Sequence, residues 1–406
     1  MECCVGSKKM KIAVFIGSDM QEGGGFQYES MVLNTIKKNH ESVSIVFEYY
    51  TLNKKISKDY KDLNLPIKEI GENFFQKIHR ISLSNLYLYR LYKKIHLQHS
   101  SIEKKLQKDS IDLVYFLYPS NIGQTLVSMS YVYTLWDLGH LELLEFPEMS
   151  YDKKFEKREE TYTHSLKKAF KVIVDGDYGK KNVVRRYNLD ERRVEILKFL
   201  PNIRATSNGK YVDIKEKYKI TGDYIFYPAQ FWAHKNHIYI LKAIKILKEE
   251  ENIKINAIFS GSDKGNLDYI LKVSREYGID SLVHYIGFAP DSEIPYLYKQ
   301  SLSLVMPTLL GPTNIPPLEA FYYGTPVCYS DTPFFREQVG DAVFYCDLSS
   351  PASLVKHLIS IINNKGEVEM KKNRGREILN SWNDEDFYNE LLSIFSEYKD
   401  IREKWN

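Results

Sequence analysis

Along the chain, short runs of β-branched and aromatic residues alternate with stretches whose apolar positions recur at helical spacing. In the first half the runs "KIAVFIGS", "VSIVFEYY", "IDLVYFLY", "YVYTLWD" and "KVIVDG" read as strands, and "FEKREETYTHSLKKAF" as one of the helices between them. After "VEILKFLPNIRATSNGKYVDIKEKY" the alternation starts afresh with "DYIFYPAQ", "KINAIFSG", "SLVHYIGF", "LSLVMPT", "TPVCYSD" and "DAVFYCD". Strands that are apolar almost throughout are covered on both faces, and strand–helix alternation makes the sheet parallel. The pattern therefore predicts an α/β protein of two doubly wound halves.

The Pro-, Asn-, Ser- and Gly-rich stretch from Pro201 to Gly209 marks the boundary. It gives an N-terminal Rossmann-like domain over 1–203 and a C-terminal one over 204–383. The final "SWNDEDFYNELLSIFSEYKDIREKWN" reads as a helix opened by Asn383 or Asp384. Over 384–406 that helix has the N-terminal domain as a place to pack back. Doubly wound sheets bind ligands beyond the C-terminal ends of their strands, so two such domains face to face predict a central cleft.

Length agrees with this division, since 406 residues exceed what one hydrophobic core supports. A net charge of +3 excludes a dedicated nucleic-acid binder. Cys3, Cys4, Cys328 and Cys346 have neither metal-type spacing nor the arrangement of a disulfide framework, which points to a reducing, cytoplasmic setting. The start "MECCVGSKKMKIAVFIGS" lacks a signal-peptide layout, and its apolar run is too short for a bilayer. Residues 1–9 read as a leader before the first strand.

Four stretches carry candidate chemistry. Gly23, Gly24 and Gly25 follow the first strand and precede a helix. Glycines there bring backbone close to a ligand and aim helix amides at an anion, although a glycine turn joining strand to helix needs no ligand. In "YTLWDLGHLELLEFP" a strand runs into Trp136, Asp137 and His140. Asp137 and His140 are an acid–base or hydroxyl-binding pair on one reading, and a helix cap and a surface histidine on the other. In "YPAQFWAHKNHIYILKAIKIL", Asn236 is placed to cap a long helix, with His234, Lys235 and His237 at its positive end. Cations at a helix N-terminus are unfavourable without an anion, which makes Lys235 the foremost phosphate ligand of the chain.

The fourth stretch, "LSLVMPTLLGPTNIPPLEAFYYGTPV", is strand, rigid loop, helix and strand. Pro316 and Pro317 suit the first helical turn, where a missing amide costs nothing. Thr313, Asn314 and Ile315 then offer a hydroxyl and amides, and Glu319 offers a carboxylate. Amides for phosphate beside a carboxylate for a ribose diol describe a nucleotide site.

"GPTNIPPLEAFYYGTPV" resembles the signature of glycosyltransferase family 4: a glutamate, seven residues, a second glutamate, Ala, and a Gly-Thr-Pro-Val-like end. Glu319, Ala320, Gly324, Thr325, Pro326 and Val327 match its second half, with the glycine loop, "WDLGH" and "HKNH" in matching order. The resemblance spans most of the chain and implies the GT-B fold. Gly311 stands in the place of the first glutamate, Gln230 in that of a phosphate-binding arginine, and Trp136 in that of a histidine. These departures resemble a subgroup with "GPTNIPPLEA" signatures linked to bacterial surface polysaccharides.

The resemblance implies a retaining hexosyltransferase that uses a UDP- or GDP-sugar and a glycan or lipid-linked acceptor. Neither a metal nor another cofactor is required. Gly24, Gly25, Gln230, Lys235, Thr313, Asn314, Ile315 and Glu319 would hold the donor. Asp137, His140 and Lys235 would carry catalysis. The rival readings are a nucleotide-sugar-binding partner subunit without turnover, and a sugar epimerase on the same fold.

From Asn73 to Lys108 eight Lys/Arg stand against one acid, Glu103, interleaved with aromatics and leucines. One reading is a peripheral contact with anionic lipid at the inner face of the membrane. The other is a set of solvated helices packing their Tyr/Leu faces on the core. Nucleic acid has no motif to support it.

Overall fold

The computed structural model describes residues 9–19, 23–39, 44–60, 63–201, 203, 211–311 and 314–405. The chain divides into two compact units. The first comprises Met1–Leu138, Phe155–Lys198 and Asp384–Asn406; the second comprises Gly139–Lys154 and Phe199–Asn383. Two differences from the expected division follow. Residues 139–154 belong with the second unit, and the break falls at 198/199. Most of the expected linker, residue 202 and residues 204–209, lies outside the described residues.

The first unit is built on β1 (Met10–Phe15), β2 (Ile45–Thr51), β3 (Ile67–Glu69), β4 (Leu113–Phe116), β5 (Tyr131–Thr134), β6 (Lys171–Val174) and β7 (Val194–Ile196). All neighbours pair in parallel, in the order β3-β2-β1-β4-β5-β6-β7. β4, β5 and β6 are buried at every position, as near-continuous apolar strands covered on both faces must be. The terminal helix Asp384–Arg402 covers this sheet from its own side. Phe395 lies 5.9 Å from the Phe47 ring and 5.6 Å from Tyr115, and the Arg402 guanidinium pairs with Asp112 at 3.1 Å.

The second unit holds β8 (Tyr224–Pro228), β9 (Asn256–Ser260), β10 (Val283–Tyr285), β11 (Ser303–Met306), β12 (Val327–Ser330) and β13 (Phe344–Cys346). They too are parallel, in the order β10-β9-β8-β11-β12-β13. In both sheets the order turns back beside the first strand, between β1 and β4 and between β8 and β11. Loops leaving the two strands of such a switch point diverge and open a crevice at their C-terminal ends.

The basic stretch 73–108 does not behave as one surface. The helix Ser101–Lys108 buries Ile102, Glu103 and Leu106, so its apolar face is core. The helices Phe74–Ser82 and Leu86–Lys94 are different: one buries only Arg80, the other nothing.

Candidate functional site

In the second unit the loop after β8 carries Gln230 and Lys235, and the loop after β11 leads to Asn314 and Glu319. These two loops flank the switch point, and the Leu309 amide donates to the His234 carbonyl at 2.9 Å, tying one to the other. The Tyr227 hydroxyl, from β8, donates to the Lys235 carbonyl at 2.8 Å. Lys235 ends a short 3-10 turn, Ala233–Lys235, ahead of the helix His237–Glu249.

Asn236 stands at the N-cap position but in the left-handed region, φ 56° and ψ 41°, and its side chain makes no capping bond. The expected cap is therefore a turn residue, for which asparagine is suited because it tolerates positive φ. The two neighbouring histidines are not the loose cations the sequence suggested. His234 is buried, and its Nδ1 and amide both meet Glu148, at 2.7 and 2.9 Å. Burial alone would raise the Glu148 carboxyl, but the bonds from His234 outweigh it and hold its pKa below the usual value. His237 is stacked on Phe231, with ring centroids 4.3 Å apart, and lies edge-on to Phe259. Burial, reinforced by Lys235 and His234, pushes its pKa down to about 3, so it is neutral. Lys235, the third basic residue of this helix end, is held at its carbonyl by the Tyr227 hydroxyl.

The helix Ile315–Tyr323 begins with Pro at its first turn and ends on Gly324 in the left-handed region. Glu319 is buried on it and accepts from the Tyr298 hydroxyl at 2.8 Å, which fixes the carboxylate's direction. The Asn314 amide, expected to face phosphate, donates instead to Gln338 Oε1 at 3.3 Å. Gln338 Nε2 returns a bond to the Asn314 carbonyl at 2.6 Å, and the Asn314 side chain binds the Gly311 carbonyl and the Tyr329 hydroxyl. Asn314 is thus a brace of the loop. Ile315 is buried at the helix start; Thr313 lies outside the described residues. Gly311 has φ 109°, and a Cβ there would stand 2.9 Å from Asn314 Oδ1. Gln230 accepts from the Trp232 indole at 2.9 Å and donates to Ser262 Oγ at 3.3 Å.

In the first unit the helix Gly24–Asn39 follows β1. Gly23 has φ 67°, and a Cβ on Gly25 would stand 2.6 Å from the Trp136 ring, so both glycines answer to backbone and packing. A Cβ on Gly24 would meet nothing within 4 Å. Trp136 itself is fixed by its indole bond to the Leu117 carbonyl, 3.1 Å. Asp137 pairs with Arg158 at 2.6 Å. Burial works against the Arg158 charge, but Asp137 beside it more than compensates and raises its pKa.

His140 is fully buried on the short helix Gly139–Glu142. Both residues were expected in the N-terminal domain, yet His140 groups with the second unit. The cause is the run that follows it: Glu148 binds His234, the Phe146 ring lies 6.4 Å from that of His234, and Lys154 stands 5.0 Å above Trp232.

Sequence reasoning missed Glu148, and also Glu29. The Glu29 carboxylate is buried under the β1 loop, accepting from the Gly17 and Ser18 amides, the Ser18 hydroxyl and Tyr60. Burial pushes its pKa up to about 8 against the pull of those donors. Its place between Tyr28 and Met31, on a helix face that must be buried, was the available signal. Among the described residues no group of three or more His, Cys, Asp or Glu is placed to hold a metal ion, and no helix is long and apolar enough to cross a membrane.

Residues 212–378 match the family model described as Glycosyl transferases group 1. The chain is 24% identical over 220 residues to O-antigen chain mannosyltransferase B of Escherichia coli, which covers 53% of this chain and 58% of the relative. It is also 24% identical over 200 residues to O-antigen chain mannosyltransferase RfbU of Salmonella typhimurium, covering 48% and 52%. The chain thus spans about half the length of the curated relatives it matches. Among solved structures it resembles Anabaena Alr3699/HepE in complex with UDP and glucose, with TM-score 0.72 at 13% identity, covering 96% of this chain and 100% of that one. It also resembles WaaG, a glycosyltransferase involved in lipopolysaccharide biosynthesis, with TM-score 0.61 at 14% identity, covering 92% and 96%. These likenesses show the fold, two Rossmann-like domains of the GT-B kind. The family model and the mannosyltransferase relatives support a glycosyltransferase.

Proposed function

We propose that the chain is a retaining glycosyltransferase that needs no metal. It moves a hexose-type sugar from a UDP- or GDP-sugar to a glycan or lipid-linked acceptor. The setting is synthesis of a bacterial surface polysaccharide, in the cytoplasm at the inner face of the membrane. The observation that carries this reading is the pair of joined loops at the switch point of the second sheet. They bring Lys235, at the end of its 3-10 turn ahead of a helix, and a buried, oriented carboxylate to the place where such sheets bind nucleotides. The mannosyltransferase names of the relatives support a hexose and a polysaccharide product. No observation favours a binding subunit without turnover or an epimerase.

Glu319 takes the ribose hydroxyls. Lys235 takes the diphosphate, with Gln230 and the amides of the helix starting at Ile315 assisting. As the bond from the anomeric carbon to the diphosphate breaks, its electron pair leaves with the phosphate oxygen, and Lys235 stabilises the charge that develops there. The acceptor oxygen bonds to the anomeric carbon on the same face, and its proton passes to the departing phosphate. Asp137, ionised beside Arg158, orients hydroxyls, and His140 is the neighbouring group that can give or take a proton. Gly24 leaves room for the donor or acceptor at the first loop.

The test is incubation of the full chain with UDP- and GDP-hexoses and lipid-linked or glycan acceptors, following nucleotide release and the anomeric configuration of the product. Release of nucleotide with a retained glycosidic bond is the expected result. Tight nucleotide binding without transfer across the panel would replace this reading by that of a binding subunit.

A further inference from the structure

The pairing of β8 with β9 does not stop where the strands end. They run in parallel register up to Pro228 and Ser260. Beyond that point the Phe231 amide donates to the Ser262 carbonyl at 3.0 Å, and Phe231 bridges to Asp263 in the same register. Gly261 permits so close an approach, because a Cβ there would stand 2.5 Å from the Ala229 carbonyl oxygen. The next residues of the two paired loops are Trp232 and Lys264. They emerge side by side past the C-terminal ends of the strands, where a doubly wound sheet receives its ligand.

Trp232 is fixed there by its indole bond to Gln230, and Gln230 in turn by Ser262. The Lys264 ammonium lies over the Trp232 ring, 5.7 Å from its centroid, and the Lys154 ammonium lies over the same ring at 5.0 Å. All of these residues belong to the second unit. Sharing one ring keeps the two cations within about 11 Å of each other, close to a Debye length, so salt screens their repulsion only in part. Among the described residues neither lysine has an acid as an ion-pair partner. The nearest acids along the chain are otherwise engaged: Asp263 accepts from the Gly265 and Leu267 amides at 2.7 and 3.2 Å, and Glu148 holds His234. A cation over a half-exposed ring is held more weakly than one bonded to a phosphate oxygen. The ring is thus a resting place from which an anion can draw both ammonium groups.

We propose that Lys264 and Lys154 complete the phosphate subsite of the second unit, resting on Trp232 in the free protein and closing on the oxyanions of a nucleoside diphosphate. The inference rests on the reading of this crevice as a nucleotide site and adds two cations to Lys235. A diphosphate carries more than one negative charge at neutral pH, which a single lysine does not balance. The pair on Trp232 is therefore what tells a nucleoside diphosphate from a bare nucleoside, and what shares with Lys235 the charge of the leaving group.

The full chain is titrated by calorimetry, directly or by displacement, with UDP, GDP, uridine and guanosine. Lys264→Gln and Lys154→Gln should each weaken diphosphate binding about tenfold, and the two together about a hundredfold, through the loss of charge-assisted contacts. Nucleoside affinity should not change. Lys264→Arg keeps the charge and the ring contact and should retain most of the affinity. Both lysines are half-buried, and a thermal melt of each variant verifies that the fold is intact. Wild-type diphosphate affinity in the double variant overturns the proposal; if Lys235→Ala is impaired at the same time, the nucleotide reading stands. Equal losses for nucleoside and diphosphate would make the lysines supports of their loops and also end the proposal. So would a Lys264→Arg protein as weak as Lys264→Gln. If neither UDP nor GDP binds the wild-type chain, the nucleotide reading falls and this proposal falls with it.

Discussion

Glu319 and Lys235 answer to different experiments because the proposed roles differ, one binding the ribose hydroxyls and the other the diphosphate. Glu319→Ala should weaken nucleoside diphosphate binding at least tenfold by calorimetry, since it removes the buried carboxylate proposed to accept from both ribose hydroxyls. Tyr298→Phe serves as the control that loosens the carboxylate without removing it, and should cost less. Unchanged affinity in Glu319→Ala would take the ribose away from this residue. Lys235→Ala removes a charge-assisted contact worth about 1.5–3 kcal/mol, so turnover should fall roughly 10- to 150-fold with acceptor KM little changed. His237 makes a different, pH-dependent statement. Its pKa is near 3 folded and ordinary when unfolded, so the unfolded chain binds the extra proton in between. Stability is whole above about pH 6.5 and falls as pH drops from there towards 3, by about 1.4 kcal/mol per unit while only the unfolded state titrates. His237→Phe keeps the stack on Phe231 and should flatten that part of the pH–stability curve. Equal acid sensitivity in both proteins would deny His237 this role.

At the scale of elements, the central strands were legible because burial on both faces leaves an unbroken apolar run. β4, β5 and β6 of the first sheet and β8, β9, β11 and β12 of the second all fall within such runs, while the second sheet's edge strands β10 and β13 are marked by the aromatic runs around them. β3 and β7 were not legible. Each is a three-residue edge strand, half exposed, and β3 carries Lys68 and Glu69. Their pairing comes from the neighbouring strand and not from their own composition. At the site the order of the loops could be read, but not who their partners are. Nothing in "GPTN" announces Gln338, twenty-four residues on, as the group that occupies the Asn314 amide. Likewise Glu148 acts on His234 across eighty-six residues. Glu148→Ala would leave the buried His234 amide unmatched, at about 1–3 kcal/mol. It should lower nucleotide affinity through the Lys235 loop, whereas Glu148→Gln keeps an acceptor oxygen and should retain most of it. Equal losses in the two variants would refute this positioning role. Gly311 is a similar element-scale matter. Its positive φ and the nearness of Asn314 mean that Gly311→Glu should destabilise the loop by about 1–3 kcal/mol in a thermal melt, and not supply the glutamate of the signature it resembles. A gain in activity without loss of stability would contradict this.

At the scale of the whole molecule, the first unit is assembled from three separated pieces of chain, and its last piece is the helix Asp384–Arg402. That helix buries Phe387, Leu391 and Phe395, each worth about 2 kcal/mol. A chain ending at Asn383 should therefore lose hydrogen-exchange protection in β1, β2 and β4 while β8 to β13 keep theirs. Uniform loss, or none, would show that the helix does not belong to the first unit's stability. The same connectivity sets a timetable for synthesis. Domains usually complete in the order in which they leave the ribosome. Here the unit begun first is completed after the second, because Phe47 and Tyr115 wait for Phe395 until the ribosome has passed the whole second unit. A nascent chain thus carries an open aromatic face that closes only once the helix Asp384–Arg402 has been made. A product cut short before that helix displays that face to chaperones and proteases, however well its second unit has already folded.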